Sequence, residues 1–272
     1  MKLGIYQFAP EWGKISANIT KISGQINSCH DVDLWVLPEL CTTGYQFKSR
    51  TELSELAEEF PAGETAQKMM ALTAENQNAL ILGVAEKAGD KIYNSAAIFE
   101  KGELKGIYRK IHLFYKEKDV FNAGDKMPKV YDIMGANVGV MICFDWIFPE
   151  MARTLALAGA ELIAHSANLV LPFCQEAMIT RSIENRVFTA TANRIGTENR
   201  DGEKLTFTGM SQVSDCKGDR LGRLKPDEES VLFADIDPAL ARNKEITNRN
   251  NLFSDRRTEF YKLRENNGKT TK

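Results

Sequence analysis

Apolar residues along the chain fall into short dense runs separated by helical-period segments. Leu3 to Ala9 is an apolar run stopped by Pro10, and Asp33–Leu37 (D-L-W-V-L) is another, stopped by Pro38. Runs of this length with little polar alternation predict strands buried on both faces. Between them Ile19, Ile22 and Ile26 recur at three- and four-residue spacing, which predicts a helix with Ser16 as its cap. Helices are further predicted over 51–59, 64–76, 149–158 and 177–186. Residues 79–85 and 91–99 flank Gly89-Asp90 and read as a hairpin. Further strands are expected at 103–109, 137–142, 161–165 and 188–193, with a last pair at 209–214 and 230–236. Strands alternate with helices and no low-complexity linker intervenes, so the pattern predicts one α/β domain of helices layered on buried sheets. That domain is expected over 1–261, followed by a polar, mobile tail at 262–272.

Composition narrows the function. The 272 residues carry 35 Lys+Arg against 37 Asp+Glu, a net charge of −2. A near-neutral chain lacks the basic face that nucleic acid demands. The most apolar stretch, Leu155 to Phe173, is interrupted by Glu161, His165 and Asn168, so no membrane span is expected. Five cysteines (Cys29, Cys41, Cys143, Cys174, Cys216) are odd in number, widely spaced and without a C-x-x-C pair. They predict free thiols in a reduced, cytoplasmic setting rather than a disulfide framework. No signal-peptide core precedes Pro10. No phosphate-binding glycine loop occurs, and Ser166 lies in H-S-A-N rather than in a G-x-S-x-G elbow.

Three predicted strand ends carry reactive groups. Glu39 follows the 33–37 run in P-E-L. Lys110 closes the 103–109 strand in K-I-H-L-F. Cys143 ends the apolar run N-V-G-V-M-I where the chain turns toward Pro149. Each alone has an ordinary reading: a solvated acid, a lysine reaching water, an inert buried thiol. Together they supply a nucleophile, a base to deprotonate it and a cation for a developing oxyanion, which suffices for covalent acyl transfer. Cys41 lies two residues past Glu39 but has no strand-to-helix turn. His112 reads as structural, His165 as core and His30 as surface.

The three segments P-E-L, K-I-H-L-F and I-C-F-D-W-I-F-P-E, in this order over Leu3 to about Tyr261, resemble the nitrilase superfamily of carbon–nitrogen hydrolases, especially its small archaeal and bacterial amidase-like members. The resemblance implies Glu39 as base, Lys110 as oxyanion stabiliser and Cys143 as nucleophile, with the Phe144 backbone N–H assisting. The segment E-K-D-V-F-N-A-G-D matches a family pattern that places a second glutamate at Glu117, with Asp119 the alternative on charge alone. Tyr45 and Asn168 are substrate-binding residues by the same resemblance, and Glu184 is a supporting one.

The resemblance further implies a four-layer α-β-β-α sandwich, a homodimer or larger homo-oligomer, and no metal or organic cofactor. The expected reaction is hydrolysis of a small amide to acid and ammonia through a thioester. Asp145 stands where amidase and carbamoylase members carry Asp and nitrilases tend to carry Glu. Ureido-acid hydrolysis, nitrile hydrolysis and a non-catalytic binding role on the same fold are the alternatives.

Overall fold

A computed structural model describes residues 1–261; the expected tail at 262–272 lies outside them. In chain order the first half comprises β1 (Lys2–Gln7), α1 (Ile15–Asn27), β2 (Leu34–Val36), α2 (Arg50–Leu56), β3 (Glu58–Glu59), α3 (Glu64–Asn76), β4 (Ala79–Ala88), β5 (Lys91–Glu100) and β6 (Glu103–Arg109). The one-turn α4 (Glu117–Val120) follows. The second half comprises β7 (Val130–Ile133), β8 (Ala136–Ile142), α5 (Pro149–Leu157), β9 (Leu162–Ala167), α6 (Cys174–Asn185), β10 (Phe188–Asn193), β11 (Thr197–Arg200), β12 (Glu203–Thr206), β13 (Gln212–Ser214) and β14 (Arg220–Arg223). Then come β15 (Ser230–Asp235) and the short pair β16 (Glu245–Thr247) and β17 (Asn250–Asn251).

The strands form two main sheets. One runs β15-β1-β2-β4-β5-β6, with β3 beside β4; the other runs β14-β13-β10-β9-β8-β7. The β1, β2 and β4 strands are parallel, as are β8, β9 and β10. Alternation explains the layering, because successive residues of a strand point to opposite faces. Leu3 and Ile5 of β1, Val36 of β2 and Ile81 of β4 pack toward Val138, Val140, Leu162 and Ala190 of the other sheet. Their neighbours Tyr6, Trp35, Leu80 and Leu82 pack outward against Ile19, Ile22 and Ile26 of α1 and Met69 and Leu72 of α3. Met151 and Leu155 of α5 and Met178 of α6 cover the second sheet. The result is the expected four-layer α-β-β-α sandwich.

Three sequence expectations change. Ser16 does not cap α1: the helix starts at Ile15, and the Ser16 hydroxyl donates to Glu64 instead. The 51–59 helix stops at Leu56, and Glu58–Glu59 forms an edge strand on β4. The supposed last pair is split between sheets, since β13 joins β10 while β15 lies antiparallel to β1. Parity of apolar residues identifies a strand but not its partner.

Candidate active site

Strands β2, β4 and β6 run in one direction, so the segments after β2 and β6 leave the same end of their sheet. Chemistry collects there as it does outside carboxyl ends of parallel strands generally. Glu39 sits in the turn after β2, tied to β4 by the Gly83 N–H to Pro38 carbonyl bond (3.0 Å) and the Cys41 N–H to Gly83 carbonyl bond (3.0 Å). The turn lies so close that a Cβ on Gly83 would stand 2.3 Å from Glu39 Cα, so only glycine fits. Lys110 follows β6 directly; its N–H donates to the Asn94 carbonyl, and its own carbonyl accepts from Gly124 N–H. The two segments lie so close that a Cβ on Gly124 would stand 2.3 Å from the Arg109 carbonyl oxygen, which explains the glycine in the F-x-x-G-D segment.

Lys110 and Glu39 are completely buried, and Glu117 is 4% exposed. Lys110 Nζ donates to Glu39 Oε1 at 2.6 Å and to Glu117 Oε1 at 2.7 Å. Asn94 of β5 donates to the same Glu39 oxygen at 2.7 Å, and Phe114 N–H holds the other oxygen of Glu117 at 2.9 Å. Glu39 Oε2 has no hydrogen-bond partner among the described residues. Burial pushes the Glu39 carboxyl up to about 7, against the opposing pull of Lys110 and Asn94. Burial opposes the Lys110 charge, but the two carboxylates outweigh it and hold the ammonium above the ordinary lysine range. Between Glu117 and Asp119, it is Glu117 that reaches the lysine.

Cys143 comes from the facing sheet. It ends β8 with φ +39° and opens a 3-10 turn over Cys143–Ile147 that leads into Pro149 at the first turn of α5. A left-handed backbone is costly for a non-glycine residue and must be held by its surroundings. Two buried groups hold it. Asp145 accepts the Ile142 N–H (2.9 Å), the Tyr108 hydroxyl (2.7 Å) and His112 Nδ1 (2.8 Å). His165 Nε2 donates to the Cys143 carbonyl at 3.0 Å, while its Nδ1 accepts from Thr191 Oγ1 at 3.2 Å. Burial holds His165 down at about 4, so it is neutral at pH 7. Burial and then the Glu39 charge push the Cys143 thiol well up, and Lys110 and the Asn168 N–H pull the other way.

The thiol opens into a narrow apolar cavity of about 20 Å³ walled by Phe114, Phe144, Trp146, Leu169 and Leu171, with Asn168 beside it. Asn168 is 2% exposed and both its side-chain polar atoms lack partners among the described residues. Tyr45 and Glu117 line an adjoining cavity of about 50 Å³ that shares Phe114. Tyr45 is half-buried there, its ring edge-on to Phe207 at 6.0 Å.

The sequence profile of the carbon-nitrogen hydrolase family matches residues 2–245. The chain belongs to the carbon–nitrogen hydrolase family. This hydrolase is 44% identical over 263 residues to a nitrilase of Pyrococcus abyssi, covering 96% of this chain and 99% of that protein. It is 31% identical to an (R)-stereoselective amidase of a Pseudomonas species, over 90% of this chain and 89% of that one. A carbon-nitrogen hydrolase from Helicobacter pylori G27 superposes with a TM-score of 0.85 at 27% identity, covering 96% and 97% of the two chains.

The structure of this hydrolase thus gathers Glu39, Lys110, Cys143, Glu117, Phe144, Tyr45 and Asn168 at one place. Glu184 stands apart: it pairs with Arg181 on α6, which also reaches the Trp146 carbonyl. Cys41 is buried and points at the Gly83 carbonyl, and His112 serves Asp145. Asn94 was not among the sequence candidates. Its signal is an asparagine, a poor strand former, inside the apolar run I-Y-N-S-A-A-I.

Proposed function

We propose that the protein hydrolyses a small amide to a carboxylic acid and ammonia. The observation that carries this reading is the fully buried Lys110 bridged between Glu39 and Glu117 opposite the strained Cys143 turn. Ionised Glu39 takes the thiol proton as the sulfur attacks the amide carbon. The oxyanion is met by Lys110 and the Phe144 N–H. The proton on Glu39 passes to the departing ammonia, and Glu39 then activates the water that cleaves the thioester. Glu117 fixes the ammonium, and Asn168 and Tyr45 contact the substrate.

An amide with a small, neutral acyl group is favoured by the walls beside Cys143, where no arginine stands. A ureido acid would need a cation for its carboxylate; Arg181, the nearest sequence candidate, is spent on Glu184 and on backbone carbonyls, and of the cations lining the adjoining cavity Arg200 pairs with Glu52 and Lys116 with Glu203, which leaves the exposed Lys48. Asp145 is wholly occupied in holding the turn, so it shapes the elbow rather than touching substrate. Residues 1–261 act as one domain, which suits a core continuous between the two sheets. The working unit is a homodimer joined across α5 and α6, where Leu157 and Ile183 are 45% and 49% exposed. Among the described residues all five cysteines are free, which suits the cytoplasm, and no helix is long and apolar enough to cross a membrane.

The test is ammonia release from a panel of aliphatic amides, ureido acids and nitriles, with Cys143→Ala as control. Turnover of short amides, abolished in a folded Cys143→Ala variant, is expected. Amide turnover persisting in that variant removes Cys143 from the mechanism, and turnover of nitriles alone replaces the amide reading.

A further inference from the structure

A second buried ion pair lies next to the site and has no part in the chemistry above. Arg194 and Glu198 flank the turn between β10 and β11 and are 1% and 6% exposed. The guanidinium pairs with the Glu198 carboxylate and stacks on Phe207, 4.0 Å from the ring centre. The carboxylate's other bonds all go to the loop that follows Glu39. It accepts the Tyr45 N–H through both oxygens (3.0 and 3.2 Å) and the Gln46 N–H at 2.7 Å. Gly44, at φ +86°, makes this approach possible, since a Cβ there would stand 3.1 Å from Glu198 Oε1. Phe207, clasped by Arg194, meets the Tyr45 ring edge-on at 6.0 Å. Tyr45 is therefore gripped at its backbone by the carboxylate and at its ring by the residue stacked on the guanidinium.

A buried ion pair gives little net stability compared with apolar side chains of the same volume, so its presence calls for another reason. We infer that Glu198, held by Arg194, is a positioning residue that seats Tyr45 on the wall of the cavity it shares with Glu117. Glu198 touches neither Lys110 nor Cys143; its influence travels through Tyr45. The inference rests on the amide-hydrolysing reading of Glu39, Lys110 and Cys143.

The experiment is a double-mutant cycle of Glu198→Asp with Tyr45→Phe on the full chain. Aspartate keeps the charge beside Arg194 but withdraws the carboxylate from the two N–H groups by one methylene. Each single variant is expected to lower kcat for the best amide about tenfold, and the double variant to fall no further than Tyr45→Phe alone, because residues acting through one group are not additive. Melting temperature is followed in parallel. Losses that multiply to about a hundredfold overturn the inference, as does full activity in a folded Glu198→Asp or Tyr45→Phe protein. Should Glu198→Asp not fold, Glu198→Gln takes its place; failure of both to fold assigns Glu198 to stability and also overturns the inference. If the unmodified protein turns over no amide, the amide reading has failed by itself. The cycle is then read from the rate at which iodoacetamide labels Cys143, with the same non-additivity expected and the same multiplied losses counting against it.

Discussion

Asn94 offers the sharpest test of how the site is tuned. Its amide donates to Glu39 Oε1 at 2.7 Å in a fully buried position, so it favours the ionised carboxylate. Glu39 nevertheless sits at about 7 because burial outweighs Asn94 and Lys110. If Glu39 must be ionised to accept the thiol proton, activity falls on the acid side with a midpoint near that value. Replacing Asn94 by Ala deletes one charge-assisted hydrogen bond, a loss of ~1.5–3 kcal/mol. At ~1.4 kcal/mol per pH unit, the acid limb of kcat/KM should move up by ~1–2 units. At pH 7 the ionised fraction then drops from about one half to ~1–10%, a roughly 5- to 50-fold loss that is recovered as the pH is raised past 9. The assay is ammonia release between pH 5 and 10, with thermal unfolding to confirm the fold. A variant slowed equally at every pH, with its acid limb unmoved, would falsify the claim that Glu39 is the base. A downward shift would be equally fatal, because it has the wrong sign for loss of a donor.

Other consequences are more local. Gly83→Ala should cost ~3 kcal/mol or more of stability and most activity, since the new Cβ meets the Glu39 backbone at 2.3 Å; urea unfolding and turnover check both. Asp145→Ala should lower the melting temperature and kcat together, because the Tyr108 hydroxyl and the Ile142 N–H would be left buried without an acceptor at ~1–3 kcal/mol each. His165 takes up its proton near 4 when folded but near 6.5 when unfolded, so the unfolded chain binds more protons in that window and stability falls as pH drops through it. The loss amounts to ~3 kcal/mol across the window, and it should shrink in His165→Gln when urea midpoints at pH 7 and pH 4.5 are compared. Labelling of Cys143 by iodoacetamide should follow the Glu39 titration near pH 7 and slow sharply in Glu39→Gln; labelling that rises only above pH 9 in both proteins would mean an unassisted thiol.

Much of this was legible in the chain because the strands that build the core are buried on both faces and therefore nearly pure in apolar residues. Asp33–Leu37 and Asn137–Ile142 announce themselves that way. Apart from the four-residue β7 (V-Y-D-I), too short to stand out, the strands not anticipated are polar ones. β11, β12 and β14 are rich in Thr, Glu, Asn, Lys and Arg and lie at sheet edges or in a separate ribbon, where one face meets water. Partner choice was also hidden. Nothing local to Ser230–Asp235 says that it crosses to β1, because that pairing is set by which sheet has a free edge. Among site residues, Glu39, Lys110, Cys143 and Glu117 stand in segments whose order and spacing speak together. Asn94, His165 and Glu198 act on groups distant in sequence, 55 residues away in the case of Asn94 and Glu39, so only the folded chain explains them.

The charge arithmetic of the site bears on why the thiol is not simply stored as thiolate. One ammonium is enclosed by two carboxylates, so ionised Glu39 and Glu117 already leave this buried group with one negative charge in excess. A thiolate at Cys143 would add a second, in a place where burial and the Glu39 charge both oppose it. The proton can leave sulfur cheaply only if it lands on the excess carboxylate, which keeps the total charge unchanged. Glu39 is the one suited to receive it: its second oxygen is unpaired among the described residues, while both oxygens of Glu117 are taken by Lys110 and the Phe114 N–H. The same burial that pushes the Glu39 carboxyl up to about 7 makes it a stronger base for that proton than an ordinary carboxylate. Glu117 is thus what makes Lys110 a fixed cation rather than a competitor for that proton, and the asymmetry between two chemically similar glutamates follows from which of them has a free oxygen.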